Sequence, residues 1–319
     1  LTINHPTTEF PGIIFLMGPT ASGKSNLAIE IARHFLVEII SVDSAQVYRH
    51  MNIGSAKPSA AVQAEIPHHL IDLIDPDSSY SAARFRKDTL SILPEIIARG
   101  KVPLLTGGTM LYFKALQQGL ATLPAADETI RCELEQQAAE QGWPAMHAVL
   151  NQLDPVTANR IQPNDSQRIQ RALEVCYLTG RPMSDILNQQ QRNHFPYRML
   201  KIALQPSDRS KLHDRIRERF HQMLAAGLVD EVRMLCERFQ LTADMPAMRC
   251  VGYRQIYHYL KNEIDFSEMQ EKGIVATRRL AKRQLTWLRA MDDLHCFDCL
   301  DTQLSQQVIH FIQKSYNPI

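Results

Sequence analysis

The sequence predicts an α/β chain in which helices flank a parallel sheet and an all-helical segment is inserted into the sheet's connections. Three observations carry that expectation. Short apolar runs alternate with helical periodicity through the first third of the 319 residues. A glycine-rich turn joins the first run to the first helical pattern. Composition then shifts near residue 119, beyond which Gln, Glu and Ala crowd out β-branched residues. Strands alternating with helices are the pattern of βαβ units, whose crossovers cover both faces of a parallel sheet.

Taken in order, Gly12-Ile13-Ile14-Phe15-Leu16-Met17 is a continuous apolar run and reads as a buried strand. Leu27, Ala28, Ile31, Ala32 and Phe35 then recur at helical spacing. Glu38-Ile39-Ile40-Ser41-Val42 is a second strand, ending at Asp43, and His69-Leu70-Ile71-Asp72 a third. Residues 81–99 place Phe85, Leu90, Ile92, Leu93, Ile96 and Ile97 on one broad face and predict a helix. Lys101-Val102-Pro103-Leu104-Leu105 is a strand ending in Thr106-Gly107-Gly108-Thr109. The helical insertion is expected over 119–197, with the core formed by 1–118 and 198–319. Tyr197–Gln205 regains strand character and is expected to rejoin the sheet. From 207 onward the chain reads as helical, with Leu212, Ile216, Phe220, Met223 and Leu224 in one stripe and a last long helix over 272–291.

Residues 18–25 read Gly18-Pro19-Thr20-Ala21-Ser22-Gly23-Lys24-Ser25, the G-x-x-x-x-G-K-[ST] pattern of a phosphate-binding P-loop, in the strand–loop–helix setting that the pattern requires. Glycines let backbone N–H groups turn onto phosphate oxygens, and the helix N-terminus that follows adds its positive dipole. Lys24 supplies a point charge, and the Ser25 hydroxyl can ligate Mg²⁺. A P-loop NTPase-like core that binds a di- or triphosphate is therefore expected, although the pattern does not by itself imply ATP hydrolysis. Ligands of such sheets sit at the carboxyl ends of the strands. Asp43, the P-loop and Gly107-Gly108-Thr109 all fall at such ends. An Asp there can hold Mg²⁺, serve as a general base or cap a helix. Gly107–Tyr112 can present N–H groups to an anion or be a tight turn alone.

Net charge is +1, so no global basic excess advertises nucleic acid, and such a surface must come from local clustering. Six cysteines are too sparse for a disulfide framework and fit a reducing cytosol. Cys296 and Cys299 form a Cys-x-x-Cys without a second ligand pair, and a metal site there is not expected. No run approaches eighteen apolar residues, so a cytoplasmic protein without a membrane partner is expected.

Together with the P-loop, further blocks resemble the bacterial tRNA dimethylallyltransferases, also called tRNA isopentenyltransferases. They are Asp43-Ser44-Ala45-Gln46-Val47-Tyr48, Gly54-Ser55-Ala56-Lys57-Pro58, Gly107–Tyr112 and Asn164-Asp165-Ser166-Gln167-Arg168-Ile169-Gln170-Arg171-Ala172-Leu173-Glu174. The likeness continues through Arg249-Cys250-Val251-Gly252-Tyr253-Arg254 and ends near Thr277–Arg289. Ala45 stands where many members carry Met, and Ser55 where many carry Thr; these departures bear on fine substrate preference only.

The resemblance implies transfer of a dimethylallyl group from dimethylallyl diphosphate to N6 of the adenosine 3′ of the anticodon in tRNA, by a monomer. It implies Asp43 as the general base and Thr20 as a group that orients the amine or a bridging oxygen. Gly18, Thr20, Ala21, Ser22, Gly23, Lys24 and Ser25 would hold the diphosphate with Arg215 and Arg219, helped by Arg254 and by Mg²⁺ at Ser25. Arg215 and Arg219 are one helical turn apart and can point the same way; alone, each reads equally as a solvated charge. The resemblance assigns tRNA contact to Asp43–Gln46, Thr109, Arg131, Gln167–Arg171, Arg249–Arg254 and the run Lys282-Arg283-Gln284-Leu285-Thr286-Trp287-Leu288-Arg289.

On a helical projection of 278–289, Arg278, Arg279, Lys282, Arg283 and Arg289 share one side, and Leu280, Trp287, Leu288 and Met291 the other. A cationic stripe of this kind suits RNA phosphates or is a solvated face. Three rival readings remain at the level of the residues. A small-molecule kinase has no need of the basic helix and would carry an acid at the end of the strand over 102–105. A nucleotide isopentenyltransferase would not need the 167–171 and 278–289 blocks, and a nucleotide-gated RNA-binding regulator would catalyse nothing.

Overall fold

The computed structural model describes residues 12–121, 123–189 and 195–316. The chain divides into two compact units, Leu1–Gln117 with Phe195–Ile319 and the intervening Gln118–His194. The first unit begins with β1 (Ile13–Met17), α1 (Lys24–His34), β2 (Val37–Val42), α2 (Ala60–Glu65) and β3 (His68–His69). It continues through α3 (Ala82–Ala98), β4 (Val102–Gly107) and α4 (Met110–Gln118). The second unit holds α5 (Glu128–Gln141), α6 (Trp143–Leu153), α7 (Pro155–Ala158), α8 (Ser166–Thr179) and α9 (Met183–Gln189). The first resumes with β5 (Met199–Gln205), α10 (Arg209–Ala225), α11 (Leu228–Phe239), α12 (Tyr253–Leu260) and α13 (Phe266–Arg289), and closes with β6 (His295–Asp298) and α14 (Leu304–Tyr316).

The strands pair in parallel in the order β3-β2-β4-β1-β5-β6. This is the flanked parallel sheet that the apolar runs predict. Alternate residues of β1 serve opposite faces, as the two-residue period of a strand requires. Ile13, Phe15 and Met17 pack with Phe85 of α3, Phe113 of α4 and Phe220 of α10. Ile14 and Leu16 pack with Leu27 and Ile31 of α1 and with Val308 and Ile312 of α14. Both faces of the sheet are thus covered, and the site forms where β1, β2 and β4 end.

Three sequence expectations need correction. The strand expected over 69–72 is only β3, because Leu70 and Asp72 take left-handed backbone angles (φ 61 and 55) that turn the chain out of the sheet. The region from 207 is not wholly helical: β6 pairs Ile202–Gln205 with His295–Asp298. A four-residue edge strand is too short to register as a periodicity. The long helix starts earlier than expected, at Phe266, where the Asp265 side chain accepts from Glu268 N at 2.8 Å. It is also followed by α14.

The second unit has its own apolar centre, including Leu134, Met146, Leu150, Ile169 and Leu173. Beside this centre lies the fully buried carboxylate of Glu174. It accepts from Arg131 Nε at 2.9 Å, Arg171 Nη1 at 2.5 Å and Asp127 N at 2.8 Å, tying α5 to α8. Burial pushes this carboxyl up, yet the bonds from Arg131, Arg171 and the Asp127 amide together hold it below its usual range. Glu174→Ala leaves two arginines without a buried partner, a loss of about 3–5 kcal/mol. The expected outcome is faster amide exchange in α5 and α8 of the full chain, with sheet protection unchanged. A carboxyl depressed by folding stabilises above its unfolded pKa and loses that contribution as pH falls through its folded value. Exchange in α5 and α8 of the unmutated chain should therefore accelerate selectively below the ordinary Glu range.

Candidate active site

The P-loop connects buried β1 to α1. Gly23, the residue before α1, has left-handed angles (φ 81) and no side chain caps the helix. The first amides of α1 are therefore without the partner that a Ser or Asp cap would give them, which is the arrangement that receives an anion. Thr20, Ala21, Gly23, Lys24 and Ser25 line a crevice of about 620 Å³. Gly18 and Ser22 lie beneath it. The buried Ser22 hydroxyl has no hydrogen-bond partner among the described residues, and a methyl group on Gly18 would sit 2.7 Å from it.

Lys24 Nζ donates to Pro19 O at 3.1 Å. Burial, and next the nearby Arg219 cation, lower its pKa to about 8, with Asp43 acting in the opposite direction. Arg219 projects from α10 into the crevice; burial lowers its pKa, and Asp43 counters. Two cations and one carboxylate thus share this end of the crevice, leaving an excess of positive charge for an anion. Arg215 does not join them: it is exposed and donates to Cys299 O at 2.9 Å, so the one-turn spacing does not bring both arginines to one place.

Asp43 follows β2 directly. Its Oδ1 accepts from Ala45 N at 2.8 Å, which closes a local turn and fixes the carboxylate, while Oδ2 has no hydrogen-bond partner among the described residues. Ser44 N donates to Thr109 Oγ1 at 3.0 Å, coupling the ends of β2 and β4. Gln46 accepts from Ser41 Oγ at 2.7 Å and donates to Ser55 O and Ala56 O, each at 3.3 Å. Asp43, Ser44, Ala45, Gln46 and Thr109 all line the crevice.

Gln284 of α13 is mostly buried at its centre. Its Oε1 accepts from Thr20 N at 2.8 Å and its Nε2 donates to Gly108 O at 2.9 Å. A methyl group on Gly108 would stand 2.3 Å from that Nε2, so the approach needs glycine. The residue expected to touch RNA therefore latches α13 onto the P-loop and β4. Leu285 and Leu288 are likewise buried, as the inward face of α13.

The basic stripe of α13 is split. Arg283 lines the crevice with Leu280 and Trp287, which the projection had placed on the anchoring side. Arg278, Arg279, Lys282, Thr286 and Arg289 border a separate concavity with Arg209 and His213. Arg249, Cys250, Val251, Gly252 and Tyr253 line the crevice as well, whereas Arg254 is exposed outside it. Burial pushes the Cys250 thiol up to about 12, and Asp43 adds to the shift.

In the second unit, Gln167 and Arg168 are exposed at the start of α8. Ile169 is buried, Gln170 donates to Glu135 Oε1 at 2.9 Å, and Arg131 and Arg171 are bound to Glu174. Only part of the 167–171 block is thus presented outward within its own unit.

Sequence reasoning missed Glu231 of α11. Its carboxylate accepts from Asn52 N at 3.0 Å, Ile53 N at 2.8 Å, Gly54 N at 3.3 Å and Tyr253 OH at 2.7 Å. It thereby sets the wall formed by Gly54–Ala56 and Tyr253. The available signal was its place on the apolar stripe of Leu228, Val232 and Leu235, where an acid is costly unless bonded. Thr106 was also overlooked: it stands where a kinase would carry an acid and lines the crevice, its buried hydroxyl without a partner among the described residues.

Comparison with known proteins agrees with this arrangement. Residues 46–291 match the model of the IPP transferase family, and residues 11–70 that of isopentenyl transferases. The chain is 72% identical to a tRNA dimethylallyltransferase of Nitrosomonas eutropha, covering 98% of both chains. It is similar to a full-length tRNA isopentenylpyrophosphate transferase structure from Bacillus halodurans, with 35% identity, a TM-score of 0.69, and coverage of 96% of this chain and 97% of that one. A eukaryotic dimethylallyltransferase solved acting on tRNA superposes with a TM-score of 0.79 at 27% identity, covering 96% of this chain and 80% of that one.

The position of Lys24 is testable. An anion seated on the P-loop adds opposite charge and must raise the Lys24 pKa. The rate of amine labelling at Lys24 should inflect near pH about 8 in the free protein and at higher pH in inorganic diphosphate. An inflection that diphosphate does not move contradicts anion binding at this loop.

Proposed function

The chain belongs to the IPP transferase family, and from that premise we infer that it transfers a dimethylallyl group from dimethylallyl diphosphate to N6 of the adenosine 3′-adjacent to the anticodon in tRNA. The products are N6-(dimethylallyl)adenosine and diphosphate. The observation that carries this reading is the convergence of an anion-receiving P-loop, Arg219 and Asp43 in one crevice.

The adenine amine is a poor nucleophile because its lone pair is delocalised into the ring. Its nitrogen attacks the allylic carbon as that carbon's bond to the bridging oxygen breaks, and the oxygen keeps the bonding pair. Asp43, with Oδ1 fixed by Ala45 N and Oδ2 unpartnered, takes the proton that N6 loses. The α1 amides, Lys24 and Arg219 meet the charge that gathers on the departing diphosphate. Lys24, titrating near about 8, is mostly cationic at neutral pH. Thr20, its amide held by Gln284, orients its hydroxyl at the same place. The Ser25 hydroxyl and the unpartnered Ser22 hydroxyl fit a diphosphate carrying Mg²⁺, which when bound supplies further charge neutralisation.

The target base must leave its stack to reach Asp43, as base-modifying enzymes require. Arg168, Lys282 and Arg289 then serve as phosphate contacts around it. The enzyme works as a monomer in the cytoplasm; no helix among the described residues is long and apolar enough to cross a membrane.

Incubation with radiolabelled dimethylallyl diphosphate, Mg²⁺ and unmodified tRNA, beside AMP and ATP as acceptors, tests the reading. Label is expected in tRNA at the adenosine beside the anticodon; label in free nucleotide instead would make the protein a nucleotide prenyltransferase. Asp43→Ala should lower kcat by about 10²–10⁴ while tRNA affinity survives, and undiminished turnover removes Asp43 from the mechanism. Each of Arg168→Ala, Lys282→Ala and Arg289→Ala should flatten the plot of log affinity against log salt by about 0.7–0.9. An unchanged slope excludes that residue from phosphate contact.

A further inference from the structure

Resting on the prenyl-transfer reading, we infer that Phe220 and Gly273 together set the depth of the crevice beyond the diphosphate, and so restrict the donor to a five-carbon chain. Phe220 follows Arg219 on α10, so the ring adjoins the cation assigned to the diphosphate. A group bonded to that diphosphate extends toward this ring. Ile216, Met223 and Leu228 complete an apolar wall around it, on a side of the crevice different from Asp43–Gln46.

The ring is almost wholly buried, at 4% exposure, and its position depends on an absent side chain. A methyl group on Gly273 of α13 would lie 2.3 Å from Phe220 Cζ, and 2.7 and 2.9 Å from Cε1 and Cε2. No carbon tolerates such approaches, so the ring edge occupies the volume that any other residue's Cβ would fill. Gly252 stands on another side, where a methyl group would be 3.7 Å from Cε2. α13 is fixed at its far end by Gln284, and Thr277 Oγ1 donates to Gly273 O at 2.7 Å. A side chain at Gly273 would therefore displace the ring rather than the helix, and the open volume beside the ring is the crevice. With glycine the ring recesses, and the apolar end has its present depth. A ten-carbon donor would need the space that the ring still occupies, and overfilling a packed site is as unfavourable as emptying one.

The test measures transfer to unmodified tRNA from dimethylallyl and geranyl diphosphates by the full chain and its variants. Phe220→Ala should raise the geranyl-to-dimethylallyl ratio of kcat/KM by about tenfold or more, and Phe220→Leu should shift it in the same direction. Gly273→Ala should lower kcat/KM for dimethylallyl diphosphate with the tRNA KM unchanged, and the double variant Gly273→Ala/Phe220→Leu should recover part of the loss. If the unmutated chain transfers dimethylallyl but neither Phe220 variant alters the ratio, the inference is overturned while the function stands. If the unmutated chain labels no tRNA, the functional reading and the inference fall together.

Discussion

Gln284 joins three parts of the chain that are distant in sequence. One amide side chain accepts from Thr20 N of the P-loop and donates to Gly108 O beyond β4, while its own helix spans the crevice. The P-loop needs its amides turned toward a ligand, and the end of β4 needs Thr109 close to Ser44. Neither condition is met by the sheet alone. A fixed amide bridge, in a site partly closed to water, costs little to maintain during reaction and much to break, since both backbone groups would be left unpaired. Phe220 against Gly273 and Arg283 at the crevice mouth depend on the same helix.

Around that latch the charges are few and placed for different tasks. Lys24 and Arg219 lower each other's affinity for protons in a buried setting, a cost that an incoming diphosphate relieves. Asp43 opposes both shifts from the other side. The anion site is thus preformed and electrostatically incomplete, which favours binding without a large rearrangement. Glu231 acts at a distance from the charges: it satisfies three successive amides and a tyrosine hydroxyl, so the wall at Gly54–Ala56 is held by bonds and not by packing alone.

Much of this was legible in the sequence, for physical reasons. The P-loop and β1 are local, and their residue types follow directly from phosphate binding. Strands buried on both faces read as apolar runs, and Asp43 and Gly107–Thr109 fall at strand ends by simple order. What escaped depends on three-dimensional pairing. Gln284 looks like one more polar residue in a basic helix, because nothing local says that its partners are Thr20 and Gly108. Glu231 resembles any acid in a helix's first turn. Arg215 and Arg219 differ in destination although their spacing is that of neighbours on one face, and Arg131 and Arg171 are committed to Glu174 in a way that charge counting does not reveal. β6 is too short to announce itself.

The central claim is that diphosphate and acceptor amine meet in one crevice, at the ends of β1, β2 and β4. The most direct measurement is a crystal structure with inorganic diphosphate and an unmodified anticodon stem-loop. The account predicts diphosphate against the α1 amides, Lys24 and Arg219, with the target adenine unstacked and its N6 hydrogen-bonded to Asp43. Diphosphate bound instead in the basic concavity beside Arg209 and Arg279, or an adenine held away from Asp43, would contradict it.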